Sequence, residues 1–378
     1  MKSFISMLLL TILYQSAIAQ TATLDKEKLL EYYQSQRYAE AAQYLKTVYP
    51  PDLKDLKALG QLAYCLMMAG QLPEAESIYL KIDALQPNTL PILFSLANIN
   101  AKRGNEMMAR FYLENIVKID SSNFKAFKQL ANYTDSVALK LNYLKKASRL
   151  NPADADVAID LSFLYRSLKL YMPAYETLAA AIKADTSNFN LLQAQLPIAN
   201  ELKKYKEVVV VGEKLMQNGV DASVVKDLGK AYFFLKNYQK TITLYQVLEK
   251  IEMENESVLY YMSLSYRELK NYPMAATYAK KTITEGISPN ISAYYLMLGG
   301  IYETNNQYKN AAAAFKKGLT FKTESNIYYR LGLLYDLKLN KKQDALSYYQ
   351  LYLKSKLDIK EDKEQIEYTK SRLLELKK

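Results

Sequence analysis

Three constellations in the sequence carry residue types that could do chemistry. Asp154, Asp156 and Asp160 place three carboxylates close together. A calcium loop would also need a glycine turn and a distal glutamate, and neither follows here. Acids at the start of a helix complement its positive end, and Asp154 can cap it. Glu252, Glu254 and Glu256 are accounted for by a solvated acidic turn. Cys65, the one cysteine, lies beside Leu62 and Leu66 and reads as a small buried hydrophobe. A further stretch, "LGGIYETNNQYKNAAAAFKKGL" (298–319), has adjacent glycines that could cradle a phosphate, or that could let two helices approach closely.

Composition removes most catalytic options. The 378 residues contain no histidine and no tryptophan, so the commonest general base and metal ligand are absent. One cysteine allows no disulfide framework, thiolate cluster or two-cysteine redox pair. Half the residues are hydrophobic, which supports a packed core. The 34 tyrosines resemble a carbohydrate-stacking set, although recurring core positions explain most of them.

The N-terminus, "MKSFISMLLLTILYQSAIAQ", reads as a signal peptide over 1–19. Lys2 supplies the positive region, Phe4 to Tyr14 the apolar core, and Ala17-Ile18-Ala19 the cleavage site. No cysteine follows the apolar run, so a lipoprotein is not expected, and no stretch reaches the ~20 apolar residues of a membrane span. Loss of Lys2 takes the net charge from +11 to +10, a mild basic bias.

A period organises the remainder. Tyr171, Tyr205, Tyr238, Tyr272 and Tyr308 are spaced by 34, 33, 34 and 36 residues. Three residues after each come Ala174, Val208, Thr241, Ala275 and Ala311, and Ala41, Ala75, Ala109 and Ala345 fill equivalent slots. About twelve residues earlier lies a second small column: Ala63, Ala97, Ala131, Ser162, Gly229, Ser263, Gly299 and Gly332. Each unit therefore reads as two amphipathic helices, A and B, joined by a short turn at Gly70, Gly104, Asn237, Asn271 or Asn306.

This pattern resembles the tetratricopeptide repeat (TPR) family and covers nearly all of the chain beyond the signal peptide. The resemblance implies an all-α fold, a right-handed α-solenoid of about ten helix-turn-helix units with a C-terminal capping helix. The expected organisation is units one to five over 20–188, a divergent sixth unit over 189–221, units seven to ten over 222–358 and a cap over 359–378. The fourth unit is about three residues short, and its alanine slot falls near Leu139. The sixth carries Pro197 inside helix A and Gly212 in helix B, which predicts a joint there. Ile359, Ile366 and Leu373 form the apolar stripe of the cap.

In this family the inner groove is lined chiefly by helix A. Carried over by register, the partner-binding positions are Tyr64, Met67, Met68, Phe163, Arg166, Lys230, Phe233, Phe234, Tyr260, Tyr261, Arg267, Tyr329 and Arg330. Gly300 joins them at a position where a side chain is expected, at a helix-propensity cost of about 1 kcal/mol. Lys128 and Asn132 match the opening pair of the family's carboxylate clamp, but the following units place Asp160, Asn190 and Ala194 where its partners belong. That clamp is not built. The sequence thus points to a non-enzymatic scaffold or assembly factor in the bacterial cell envelope, periplasmic or envelope-associated, holding a protein or peptide segment. The alternative is a module for envelope glycan or an anionic surface polymer. No catalytic residue, cofactor or metal ligand set is expected, and export argues against nucleic acid.

Overall fold

The computed structural model describes residues 23–217, 219–285, 289–358 and 360–377. The stretch 1–19, expected to be a signal peptide, and Ile359 lie outside these residues. Among the described residues every regular element is an α-helix, and the helices follow the repeat two by two. In the first half they are α1 (Lys26–Gln34), α2 (Tyr38–Val48), α3 (Leu56–Met68), α4 (Leu72–Leu85), α5 (Leu90–Lys102), α6 (Glu106–Ile119), α7 (Phe124–Leu130), α8 (Val137–Leu150), α9 (Ala155–Ser167) and α10 (Tyr171–Ala184). Then come α11 (Phe189–Glu201), α12 (Tyr205–Met216), α13 (Ala222–Phe234), α14 (Tyr238–Lys250), α15 (Glu256–Glu268) and α16 (Tyr272–Glu285). The series closes with α17 (Ile291–Thr304), α18 (Tyr308–Leu319), α19 (Ser325–Leu337), α20 (Lys342–Lys354) and α21 (Lys363–Leu376). Odd numbers up to α19 are A helices, even numbers are B helices, and α21 is the cap.

Backbone contacts divide the chain into two compact units, one ending at Ser167 and one beginning at Leu168. Within each unit a helix packs mainly on the next in sequence, and in the second unit α11 also touches α13 and α13 touches α15. Repeated local contact of this kind is how a solenoid builds a continuous core.

The two small columns face each other at the centre of each helix pair. The column alanines of the B helices (Ala41, Ala75, Ala109, Ala174, Ala275, Ala311 and Ala345) are all fully buried. Thr241 donates to the Gly229 carbonyl at 3.1 Å, and Ser263 donates to the Ala275 carbonyl at 2.9 Å. The glycines have a steric cause. A Cβ on Gly229 would lie 2.2 Å from the Tyr245 ring, on Gly299 2.3 Å from Phe315, and on Gly332 2.4 Å from Tyr349. Gly299 is inside α17, so the glycine-rich stretch is a helix contact and not a phosphate loop.

The turn from helix A to helix B differs from the sequence expectation in one respect. Nine residues there or at equivalent places adopt left-handed backbone: Gln36, Gly70, Gly104, Lys169, Lys203, Lys236, Lys270, Asn306 and Asn340, all between +53° and +77° in φ. In the turns assigned to Asn237 and Asn271, the preceding lysines take that conformation. The asparagines instead accept from the first turn of the next helix, from Lys240 N–H at 3.2 Å and Met274 N–H at 3.3 Å. Lysine is held there because the turn satisfies helix A's last carbonyls: the Lys236 N–H donates to the Phe233 carbonyl and the Asn237 N–H to that of Tyr232, both at 2.9 Å.

Helix α7 has only seven residues, and Leu139, the expected small slot of its partner, is exposed instead of packed. Burial in α8 falls on Leu144 and Ala147. Helix α11 includes Pro197 and buries Leu191, Leu192, Leu196, Ile198 and Ala199. On the cap, Leu373, Leu376 and Thr369 are buried and Ile366 is half-buried. Arg372 anchors it by a two-pronged pair to Asp336, at 2.7 and 2.9 Å, and the Tyr349 hydroxyl donates to the same carboxylate at 3.2 Å.

Candidate peptide-binding groove

Four of the sequence-assigned residues converge in the second compact unit. Helix α13 ends in Phe233-Phe234 because its apolar positions continue one turn beyond those needed for the core. Helix α15 carries Tyr260 and Tyr261 directly after its buried Val258 and Leu259. The rings meet in a row. Phe233 lies 4.9 Å from Tyr261 and 5.4 Å from Phe234, and Tyr261 is 5.5 Å from Tyr260. Tyr205 stacks on Phe234 at 4.7 Å, with planes only 9° apart. Tyr238 flanks Phe233 at 5.6 Å, and Tyr294 closes the row beside Tyr260 at 5.6 Å. Phe234 remains 42% exposed, which leaves a large apolar face in contact with solvent.

Two cations beside the row, Lys230 and Arg267, are already matched. Lys230 donates to Glu201 at 2.9 Å. Burial works against its charge, but the Glu201 hydrogen bond and the nearby carboxylates hold its ammonium above the usual range. Burial pushes the Tyr261 phenol up, against the pull of Lys230. Asp227 accepts from the Asn200 amide at 2.9 Å. Arg267, on the following turn of α15, pairs with its neighbour Glu268 at 2.7 Å.

A tetratricopeptide-repeat sequence profile matches residues 32–98, and a second such profile matches residues 292–324. Both fall on the helix pairs just described. The chain is a tetratricopeptide-repeat protein. It is 23% identical over 219 residues to BBSome complex member BBS4 from Bos taurus, covering 54% of this chain and 40% of that protein. The TPR chain thus spans less than half the length of this curated relative. Among solved structures it is similar to a tetratricopeptide repeat protein from Parabacteroides merdae, at 15% identity over 64% of this chain and 97% of that one, TM-score 0.42. It is also similar to the C-terminal part of a TPR repeat-containing protein from Cytophaga hutchinsonii, at 14% identity over 69% and 95%, TM-score 0.46.

The remaining assigned positions of the TPR groove belong to helix pairs other than those of α13 and α15. In the first unit, Tyr64 is edge-on to Tyr38 at 5.9 Å and to Tyr33 at 6.4 Å, Met68 is exposed, and Met67 rests on the core. Phe163, Arg166 and Asn132 are exposed. Lys128 is held by Asp154 at 3.0 Å and Asp156 at 2.8 Å, so the residue that would open a carboxylate clamp is occupied by two acids. Asp154 also caps α9 through the Val157 N–H at 2.9 Å. Cys65 is fully buried, its thiol donating to Tyr33 at 3.5 Å and pushed up by burial.

Toward the C-terminus, Tyr329 packs on Tyr352 at 5.1 Å and Tyr368 of the cap at 6.4 Å. Arg330 lies over the Phe315 ring at 5.6 Å and pairs with Glu303. A Cβ on Gly300 would meet only the Arg330 guanidinium, at 3.9 Å, so the space beside this glycine is open. Sequence reasoning assigned Tyr205 and Tyr238 to the core period and left out Tyr294 and Glu201. Helix-B entry tyrosines do extend the groove rings, as Tyr38, Tyr205 and Tyr238 each touch an A-helix aromatic. Among the described residues, no group of three or more acids or cysteines could hold a metal ion, and no helix is long and apolar enough to cross a membrane.

Proposed function

We propose that this chain is a non-enzymatic scaffold or assembly factor of the bacterial cell envelope that holds a segment of a partner protein on its A helices. The aromatic row from Tyr205 to Tyr294 carries this reading, since rigid rings with solvent-facing area are the usual anchors of a binding surface. Export belongs to the proposal and is supported by the signal-peptide pattern of residues 1–19. The mild basic surplus is spread along the chain, and Lys230 and Arg267 beside the row are paired, which favours a protein segment over an anionic polymer.

Crosslinking in intact cells, followed by identification of co-purified proteins, is expected to recover a protein partner. Phe233→Ala combined with Arg267→Glu should weaken its capture while circular dichroism stays unchanged. Unchanged capture by that variant, or retention only on cell-wall polymer, would overturn the assignment. A fusion of residues 1–25 to a reporter active only outside the cytoplasm should be active, and a silent reporter would remove the envelope location.

A further inference from the structure

The groove row constrains the chemistry of its partner further than "a protein segment", and the constraint rests on the reading just proposed. Three observations act together. First, from Phe234 to Tyr260 successive rings are inclined to one another: Phe233 and Tyr261 cross at 50°, Phe233 and Phe234 at 83°, and Tyr260 and Tyr261 at 65°. Inclined neighbours 4.9 to 5.5 Å apart form a ridged face instead of one flat plate.

Second, the polar atoms offered by the row are hydroxyls. The phenols of Tyr205, Tyr238, Tyr260 and Tyr261 make no hydrogen bond to any described residue. A phenol readily donates to a carbonyl. The face therefore presents hydroxyl donors for carbonyl oxygens. Third, two cations beside the row are already paired: Lys230 is held by Glu201, and Arg267 by Glu268. An acidic segment would meet Glu201 and Asp227 and would have to break these pairs.

A proline-rich stretch in the polyproline II conformation satisfies all three conditions. Its backbone carbonyls point outward without internal hydrogen bonds, its prolines have no N–H to leave unsatisfied, and its rings are compact enough to pack against a ridged aromatic face. Its stiffness also lowers the ordering cost of binding. We infer that the row formed by Tyr205, Phe234, Phe233, Tyr261 and Tyr260 is a docking site for an uncharged, proline-rich segment of the partner. The phenols donate to that segment's carbonyls, and the ridged ring face holds its prolines.

The test is a titration of the full chain, followed by calorimetry, with four probes: a decaproline peptide, a length-matched acidic peptide, a length-matched basic peptide and a neutral oligosaccharide. Decaproline should bind, and its affinity should change by less than about twofold between about 0.05 and about 0.5 M salt. Phe234→Ala should weaken it by roughly tenfold to thirtyfold. Tyr261→Phe, which keeps the ring, should weaken it by a smaller factor through loss of one donor. A charged peptide that binds more tightly, steeply salt-dependent and sensitive to Phe234→Ala, would overturn the proline assignment while leaving the peptide-scaffold reading intact. Oligosaccharide binding that depends on Phe234, with none by any peptide, would overturn both. Decaproline binding that survives Phe234→Ala and Tyr261→Phe unchanged would place the site elsewhere and overturn the inference alone.

Discussion

Gly299 and Gly300 are adjacent in α17, both helical, and their replacement by alanine should have opposite effects. At Gly299 a Cβ would sit 2.3, 2.4 and 2.9 Å from three carbons of the Phe315 ring, where about 3.5–4.0 Å is the favourable separation. Phe315 has no solvent exposure, so the ring has no open side into which to retreat. Overpacking of this kind costs about 1–3 kcal/mol, and an overlap exceeding an ångström belongs near the top of that range. Alanine returns about 1 kcal/mol of helix propensity, so Gly299→Ala should be destabilised by about 2 kcal/mol. At Gly300 the nearest atom is the Arg330 guanidinium at 3.9 Å, an ordinary contact. The propensity gain then stands alone, and Gly300→Ala should be stabilised by about 1 kcal/mol. Repeat arrays open locally, so the readout should be amide exchange of α17 and α18 alongside urea denaturation. If Gly299→Ala proved as stable as Gly300→Ala, the steric account of the whole glycine column would fail.

Four further outcomes follow from the structure. Lys270→Gly should raise the melting temperature, because glycine relieves a left-handed φ of +61° that costs an ordinary residue about 1 kcal/mol or more; a lowered value would show that the lysine side chain has a packing role. Arg372→Ala should release the cap, seen as loss of exchange protection across α21 while α13–α15 keep theirs, because the Asp336 carboxylate, almost fully buried, loses its two-pronged partner. Burial, with help from Glu213, pushes the Tyr232 phenol up to about 12. The folded state holds that proton more tightly than the unfolded chain, whose tyrosines titrate near 10, so this contribution is complete below pH ~10 and lost as the pH rises toward ~12. A tyrosinate absorbance titration should accordingly show a late step that coincides with loss of helical signal; a single smooth titration near pH ~10 with the helices intact would contradict it. The predicted joint over 189–221 requires faster amide exchange in α11 and α12 than in α13 and α14, and equal protection would remove it.

The repeat was readable because its packing rule is local. A glycine and the aromatic that covers it, such as Gly229 and Tyr245, stand about sixteen residues apart, and this survives as a period in residue type. The turn lysines were not readable: lysine has no preference for left-handed backbone, and two main-chain hydrogen bonds per turn override its own tendency. The fourth unit shows the same limit. Ala131 keeps the small column, yet α7 stops at Leu130, since residue type records a contact and not the length of the helix that makes it. In the groove, register found Phe233, Phe234, Tyr260 and Tyr261. It could not foresee that Lys230 would be held by Glu201 or Lys128 by Asp154 and Asp156, because pairing across repeats depends on how successive helices are stacked.

The covered glycines also bear on how an array of this kind changes length. Gly229 with Tyr245, Gly299 with Phe315 and Gly332 with Tyr349 are each complete inside one repeat, so a hole and the ring that fills it travel together. Excision or duplication of a whole repeat keeps each of these three holes with its ring, whereas a breakpoint between the two helices of a repeat separates lock from key. Gain and loss of whole modules is then a route by which the number of binding surfaces can drift while the interior of every surviving module stays as it was.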